Sequence, residues 1–407
     1  MKAEKALTRF LAAFLTMMAL GRGAAQETAV KQATAPEPAA AVPAPLDPAA
    51  AKAPPAVKAG GLIQVWFLAD QYAAPARSWS EPLTVPNSMA LHRTELKLSG
   101  AAAQDVSWTL MVDPARALGA SESVSSTAFA LSGKDASGVT LTGSTAKITT
   151  GTNAEFKRIV QDAYLSYKAF SWLELRAGQW KVPFGREGLL PNGELPFVER
   201  SFMFSALKWA AARDLGVMAT GDTQIEGQKI VLQAGLFQGE PQNSQFDANY
   251  VKDPAVRLTL QSPSGLWLGV SRYEGRLGPS ADYAGGPSDF NFRTGVELGY
   301  SLASFAFQAE YAAGNVMGTG KQTAYGDLGC LLMPQIELLG RYDWVILNDA
   351  VWSSGQQYEA TLGLNYYFDP KSRNLTKLQL NLVSSGAASA FDPQGDLQGR
   401  MNYQVLF

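Results

Sequence analysis

From Leu62 onward, apolar and polar residues change places at every second position. Leu173, Leu175 and Ala177 share one face, and Glu174, Arg176 and Gly178 the other. Ile336, Leu338, Gly340, Tyr342 and Trp344 alternate in the same way with Glu337, Leu339, Arg341 and Asp343. A period of two belongs to strands with one apolar and one polar face. The pattern predicts sixteen strands, near 62–70, 89–98, 106–113, 156–168, 172–182, 213–221, 229–237, 254–261, 266–273, 291–300, 304–312, 322–332, 335–344, 357–368, 375–384 and 399–407. Short connections alternate with long ones along the chain, as the turns and loops of an outer-membrane barrel do. Aromatics gather at strand ends (Tyr300, Tyr311, Trp344, Tyr358, Tyr366, Phe368), where a barrel wall meets the two membrane interfaces. The fold class expected is all-β: a transmembrane antiparallel β-barrel of about 16 strands.

One connection breaks the rhythm. Residues 183–212 run for some thirty positions between the fifth and sixth strands, rich in aromatic and basic residues. A connection that long is functional or disordered, and this composition argues against disorder. It is expected to fold into the mouth of the barrel.

The ends of the chain read differently. Lys2, Lys5 and Arg9 precede an apolar run from Phe10 to Leu20 and then Gly23-Ala24-Ala25, the pattern of a secretory signal peptide over 1–25. That run is too short to cross a bilayer as a helix, which takes about 20 residues. Residues 26–60 are dominated by Ala and Pro, and read as a periplasmic linker, with attachment to a partner as the alternative. Residues 61–407 would then be the barrel. Its final strand places Tyr403, Val405 and Phe407 on one face, and a terminal Phe is the assembly signal of outer-membrane proteins. The expected location is the outer membrane of a Gram-negative bacterium, in contact with lipid and lipopolysaccharide.

Charge narrows the function. The formal net charge is −2, and the first 25 residues hold four basic residues and one acidic, so the remainder carries −5. A mildly acidic chain gives no reason to expect nucleic acid. Any anion preference must come from local placement. The chain has one Cys (Cys330) and one His (His92), which leaves no basis for a disulfide, most metal sites or a His-based nucleophilic mechanism. No cofactor motif is present, and no enzyme activity is expected.

Several motifs resemble the phosphate-selective porin O/P family. They are Asp162-Ala163-Tyr164-Leu165, Gly178-Gln179-Trp180-Lys181-Val182-Pro183-Phe184-Gly185, Phe197-Val198-Glu199-Arg200-Ser201 and Arg213-Asp214-Leu215-Gly216-Val217, with Gly340-Arg341-Tyr342-Asp343-Trp344-Val345 later. The resemblance covers about 61–407. It implies a homotrimeric sixteen-stranded diffusion channel whose loop between strands five and six narrows the lumen. Candidate constriction residues are Arg186, Arg200 and Lys208 in that loop, Lys181 and Arg213 at its ends, and Arg176 on the wall. Arginine would hold an oxyanion through two N–H groups, and lysine would act as a point charge. Acids Glu187, Glu194 and Glu199 leave the loop a weak positive bias. Arg200 beside Glu199, and Arg213 beside Asp214, are equally expected as ion pairs that anchor the loop. The basic and acidic residues of the wall nearly balance, which fits a mixed or weakly anion-selective pore for small polar solutes. The competing reading is a structural barrel, a sheath for an exported partner such as an electron-carrying protein. That reading needs a lumen with no inward loop.

Overall fold

The computed structural model describes residues 57–70, 88–118, 124–134, 140–150, 159–207, 212–240, 242–247, 250–276, 290–316, 318–347, 356–387 and 396–407. The predicted signal peptide and nearly all of the Ala/Pro segment lie outside the described residues, as does Lys208.

The strands are β1 (Lys58–Asp70), β2 (Ser88–Ala101), β3 (Val106–Val112), β4 (Val124–Lys134), β5 (Thr140–Thr150), β6 (Val160–Phe170), β7 (Leu173–Lys181), β8 (Arg213–Ile225) and β9 (Gln228–Phe237). They continue as β10 (Asp253–Gln261), β11 (Leu266–Arg276), β12 (Phe290–Leu302), β13 (Phe305–Val316), β14 (Thr319–Met333), β15 (Ile336–Ile346), β16 (Gln356–Tyr367), β17 (Thr376–Ala387) and β18 (Asp396–Leu406). Sixteen of them form one closed antiparallel barrel, in which β3 pairs with β6 and β18 closes on β1. Closure sets Leu62 opposite Leu406 and Gln64 opposite Gln404. These sixteen are the strands the alternation predicts, with ends displaced by a few residues.

The two additional strands fall in 114–155, which the predicted strands leave as one of the long connections. β4 and β5 pair with each other as a separate hairpin, Val124 opposite Thr150, after a one-turn helix α1 (Ala115–Leu118). Their sequences, VSSTAFALSGK and TLTGSTAKITT, put Ser and Thr at both parities. An alternation signal needs contrast between the faces, and here there is little.

The tight turns carry the expected backbone chemistry. Ile225 pairs with Gln228 across Glu226-Gly227, and both turn residues have positive φ (51° and 80°). Two consecutive positive φ values define the hairpin turn that matches the twist of its strands.

The faces divide as the period of two requires. Leu165, Leu175, Val217, Leu258, Val270, Leu298, Leu328, Leu362 and Leu382 stand exposed on the outer wall. Aromatic pairs rim its short-turn end, Phe170 stacked on Trp172 and Phe368 edge-on to both Tyr366 and Tyr403. The inner face is polar and crowded: Gln64, Arg93, Glu297, Glu310, Arg341, Asp343, Lys377, Gln379, Asn402 and Gln404 are all buried. An apolar cluster also sits inside the lumen. Phe184, Met203, Phe204 and Leu207 from the β7–β8 connection pack with Trp180, Met218, Phe237, Tyr273 and Tyr325 from the wall.

Candidate functional site

The β7–β8 connection folds inward across the lumen, as its length and composition predict. It leaves the wall at Val182, whose N–H donates to Ala212 O at 3.0 Å. It then holds a short 3-10 turn (Asn192–Glu194) and a helical turn, α2 (Phe202–Ala206). A segment with so little regular structure cannot satisfy its own backbone groups, so the wall must satisfy them.

The wall does this with charged and amide side chains. Glu310 of β13 accepts the consecutive N–H groups of Arg186 (3.0 Å) and Glu187 (2.8 Å). Ser271 accepts Gly185 N–H at 3.2 Å. Asp343 accepts Phe202 N–H at 3.0 Å, at the start of α2, where the N–H groups have no partner within the helix. Loop carbonyls are met from the other side: Lys377 and Gln379 donate to Leu195 O (2.7 and 3.1 Å), Asn365 to Pro196 O (2.9 Å) and Gln404 to Gly193 O (2.8 Å). Farther along, Lys321 donates to Ala206 O (2.9 Å) and Arg293 to Leu207 O (3.1 Å). Lys321, Arg293 and Lys377 of the inner wall therefore all hold loop carbonyls.

The sequence-derived candidates separate into three groups. Lys181 and Arg200 come together on one acceptor, Leu190 O, at 2.5 and 2.8 Å. Arg200 also donates to Asn192 Oδ1 (2.8 Å) and Glu187 O (3.2 Å). Burial lowers its guanidinium to about 10, so it stays charged at neutral pH. The expected pairing of Arg200 with Glu199 is thus corrected: Arg200 ties the loop to itself. Arg213 likewise pairs with Asp162 at 2.7 Å, and Asp214 accepts the N–H groups of Leu215 and Gly239 (2.7 and 2.6 Å). Neighbours on a strand point to opposite sides, which is why Arg213 and Asp214 of β8 fail to meet.

Arg176 forms the second group on the inner wall. It bonds Glu174 at 2.8 Å and Ser166 at 3.3 Å, and its guanidinium lies 4.3 Å from the centre of the Tyr164 ring. Arg186 is the third. Its guanidinium lies over Trp267 at 4.2 Å, and no carboxylate of the described residues is within ion-pair distance. Burial lowers its pKa, and Tyr325, Glu297 and Glu310 oppose that effect. Beside it, Arg257 pairs with Glu297 at 2.7 Å. Sequence reading missed Trp267 as the support of Arg186. Its inward parity on β11 was the available signal, but an aromatic at such a position does not name its partner.

Comparisons with known proteins agree with this architecture. Residues 85–284 match the family model Phosphate-selective porin O and P. The outer membrane channel DcaP of Acinetobacter baumannii is similar in structure, with TM-score 0.55 and 12% identity over 87% of this chain and 97% of that one. OprB of Pseudomonas putida gives TM-score 0.53 and 9% identity over 86% and 94% of the two chains. An anion-selective porin from Comamonas acidovorans gives 0.51 and 12% over 87% and 100%. At these identities the likeness speaks for the fold. Comparison with the curated proteins finds no match. A closed barrel with an apolar outer wall belongs in a Gram-negative outer membrane. The chain is an outer-membrane β-barrel of the porin type, and over residues 85–284 it is similar to the phosphate-selective porin O and P family.

Proposed function

We propose that this porin is a water-filled diffusion channel for small polar solutes with a preference for anions, phosphate and carboxylates among them. The observation that carries the preference is Arg186, a guanidinium on the lumen loop that lies on Trp267 with no carboxylate partner among the described residues. Positive charge held at a constriction without a tight counter-ion favours anion entry and still allows release. Arg257 and Arg176 carry partners, Glu297 and Glu174, so they add a transverse field more than net charge. Lys181, Arg200 and Arg213 act in this reading by holding the loop. The inward loop speaks against the sheath reading, which needs the lumen clear. The channel works as a homotrimer set in lipid and lipopolysaccharide.

The test is the reversal potential of purified protein in a planar bilayer with asymmetric KCl. Wild type is expected to favour chloride, and Arg186→Ala to lose most of that preference with the fold intact. Cation preference in the wild type would overturn the reading.

A further inference from the structure

The connection between β9 and β10 turns to the outside of the barrel. Gln179 of β7 pairs in register with Ala163 and Leu215, two residues beyond the paired Leu165, Ala177 and Val217 of the outer wall. Side chains alternate along both ladders, so Gln179 faces outward as they do. Leu165 and Val217 are exposed there, yet Gln179 is buried. Its cover is the β9–β10 connection. Gln179 donates to Asn243 Oδ1 at 2.7 Å and accepts Asn243 N–H at 2.8 Å, while Gln242 donates to Val160 O at 2.5 Å. The chain thus leaves β9, reaches the outer side of β7 and returns to β10.

This pinned segment holds two open rings. Phe246 and Tyr250 are 84% and 90% exposed, more than any other large apolar residue of the described chain. Around them stand Gln245, also exposed, and the ion pair of Asp247 with Lys252 at 2.6 Å. Irregular backbone does not lie bare within the hydrocarbon of a bilayer, where its polar groups would find no partners. Exposed aromatics among polar side chains instead suit the membrane–water boundary, which takes a ring and a polar tip together. The lipid-facing surface runs on from the same strands, through exposed Leu215, Val217 and Leu236. The long-loop end of the barrel is the end at the outer leaflet.

We propose that the β9–β10 connection is an interfacial anchor. It folds over the outside of the barrel and seats Phe246 and Tyr250 between the headgroups and acyl chains of the outer leaflet. The anchor is independent of which solutes the pore passes and rests only on the barrel's place in the membrane.

The test measures depth in the full chain, reconstituted in phospholipid nanodiscs. Cys330→Ser removes the one cysteine of the chain, and a spin label is then set at Gln245→Cys, which leaves both rings in place. Labels at Val217→Cys on the outer wall and Ser264→Cys in the β10–β11 turn give the lipid and water references. Relaxation by oxygen reports contact with acyl chains, and relaxation by a nickel chelate reports contact with water. The Gln245 label is expected to fall between the two references. With Phe246→Ser and Tyr250→Ser combined, its nickel relaxation is expected to rise to the Ser264 value while the barrel keeps its heat-resistant gel mobility. Nickel relaxation equal to that at Ser264 with both rings intact would overturn the proposal. So would a reading that does not move when the rings are removed. A label shielded from both reagents would assign the surface to a second copy of this chain and overturn the lipid anchor.

Discussion

Arg341 of β15 and Glu187 of the lumen loop form an ion pair whose side chains are 2% and 0% exposed. The same guanidinium holds Asp327 at 2.6 Å and donates to Glu199 O at 3.1 Å, and it lies over Phe197 at 4.3 Å. Glu187 completes the link by accepting Ser201 N–H at 2.9 Å. One arginine thus binds two strands of wall to two separate points of the loop.

Removing that arginine strands two buried carboxylates. Breaking a buried pair from one side costs about 3–5 kcal/mol, whereas replacing both partners by apolar groups is often neutral. Arg341→Met is expected to lower the temperature at which the barrel loses its heat-resistant gel mobility and to make the single-channel current noisier. Arg341→Met combined with Glu187→Met is expected to recover much of the loss. Quiet, wild-type current from Arg341→Met would show that the pair does not hold the loop.

Gly185 offers a gentler release of the same loop. Its φ is +63°, and a Cβ there would sit 2.5 Å from Glu310 Oε2. Left-handed backbone costs an L-residue roughly 1–2 kcal/mol, and the clash falls on the carboxylate that accepts Arg186 and Glu187 N–H. Gly185→Ala is therefore expected to loosen the loop and raise single-channel conductance, with barrel yield unchanged. Conductance equal to wild type would place the loop's hold elsewhere.

The wall was legible in the sequence because each barrel strand contrasts its two faces, as Leu338 and Tyr342 do with Arg341 and Asp343. The hairpin β4–β5 was not, because Ser and Thr suit either face. The inward loop announced itself by length, yet its attachments did not. Glu310 lies more than a hundred residues from the backbone groups it binds. Only barrel closure sets it there, and no local pattern encodes that. The single charges were the least legible. Arg186 and Arg200 look alike in sequence, but one lies on an indole while the other ties up the loop's own carbonyls.

Closure brings Phe407 into close approach with β1. Phe407 N–H donates to Gly61 O at 2.9 Å, and Gly61 N–H to Phe407 O at 2.7 Å. A Cβ on Gly61 would lie 2.5 Å from Glu95 O and 2.6 Å from the Phe407 ring. Gly61→Val is expected to leave most of the protein unable to reach the heat-resistant barrel on refolding into detergent, as read by mobility of unheated samples. A normal folded fraction would mean that the terminal contact follows closure and does not govern it.

Arg186 and Trp267 together make the sharpest statement about selectivity. The guanidinium is held over the indole, worth about 0.5–2 kcal/mol, while Glu297 Oε2 is buried without a partner. Freed from the ring, Arg186 has an open acceptor among its electrostatic neighbours, and pairing there would cancel its charge. Trp267→Leu should therefore reduce chloride preference nearly as far as Arg186→Ala, although it removes no charge. Arg186→Lys should keep the sign of the preference and lose part of its size. The preference itself should shrink as KCl rises from 0.1 to 1 M, because the screening length falls from about 10 Å to about 3 Å. A Trp267→Leu pore with wild-type reversal potential would show that the ring does not keep Arg186 from Glu297.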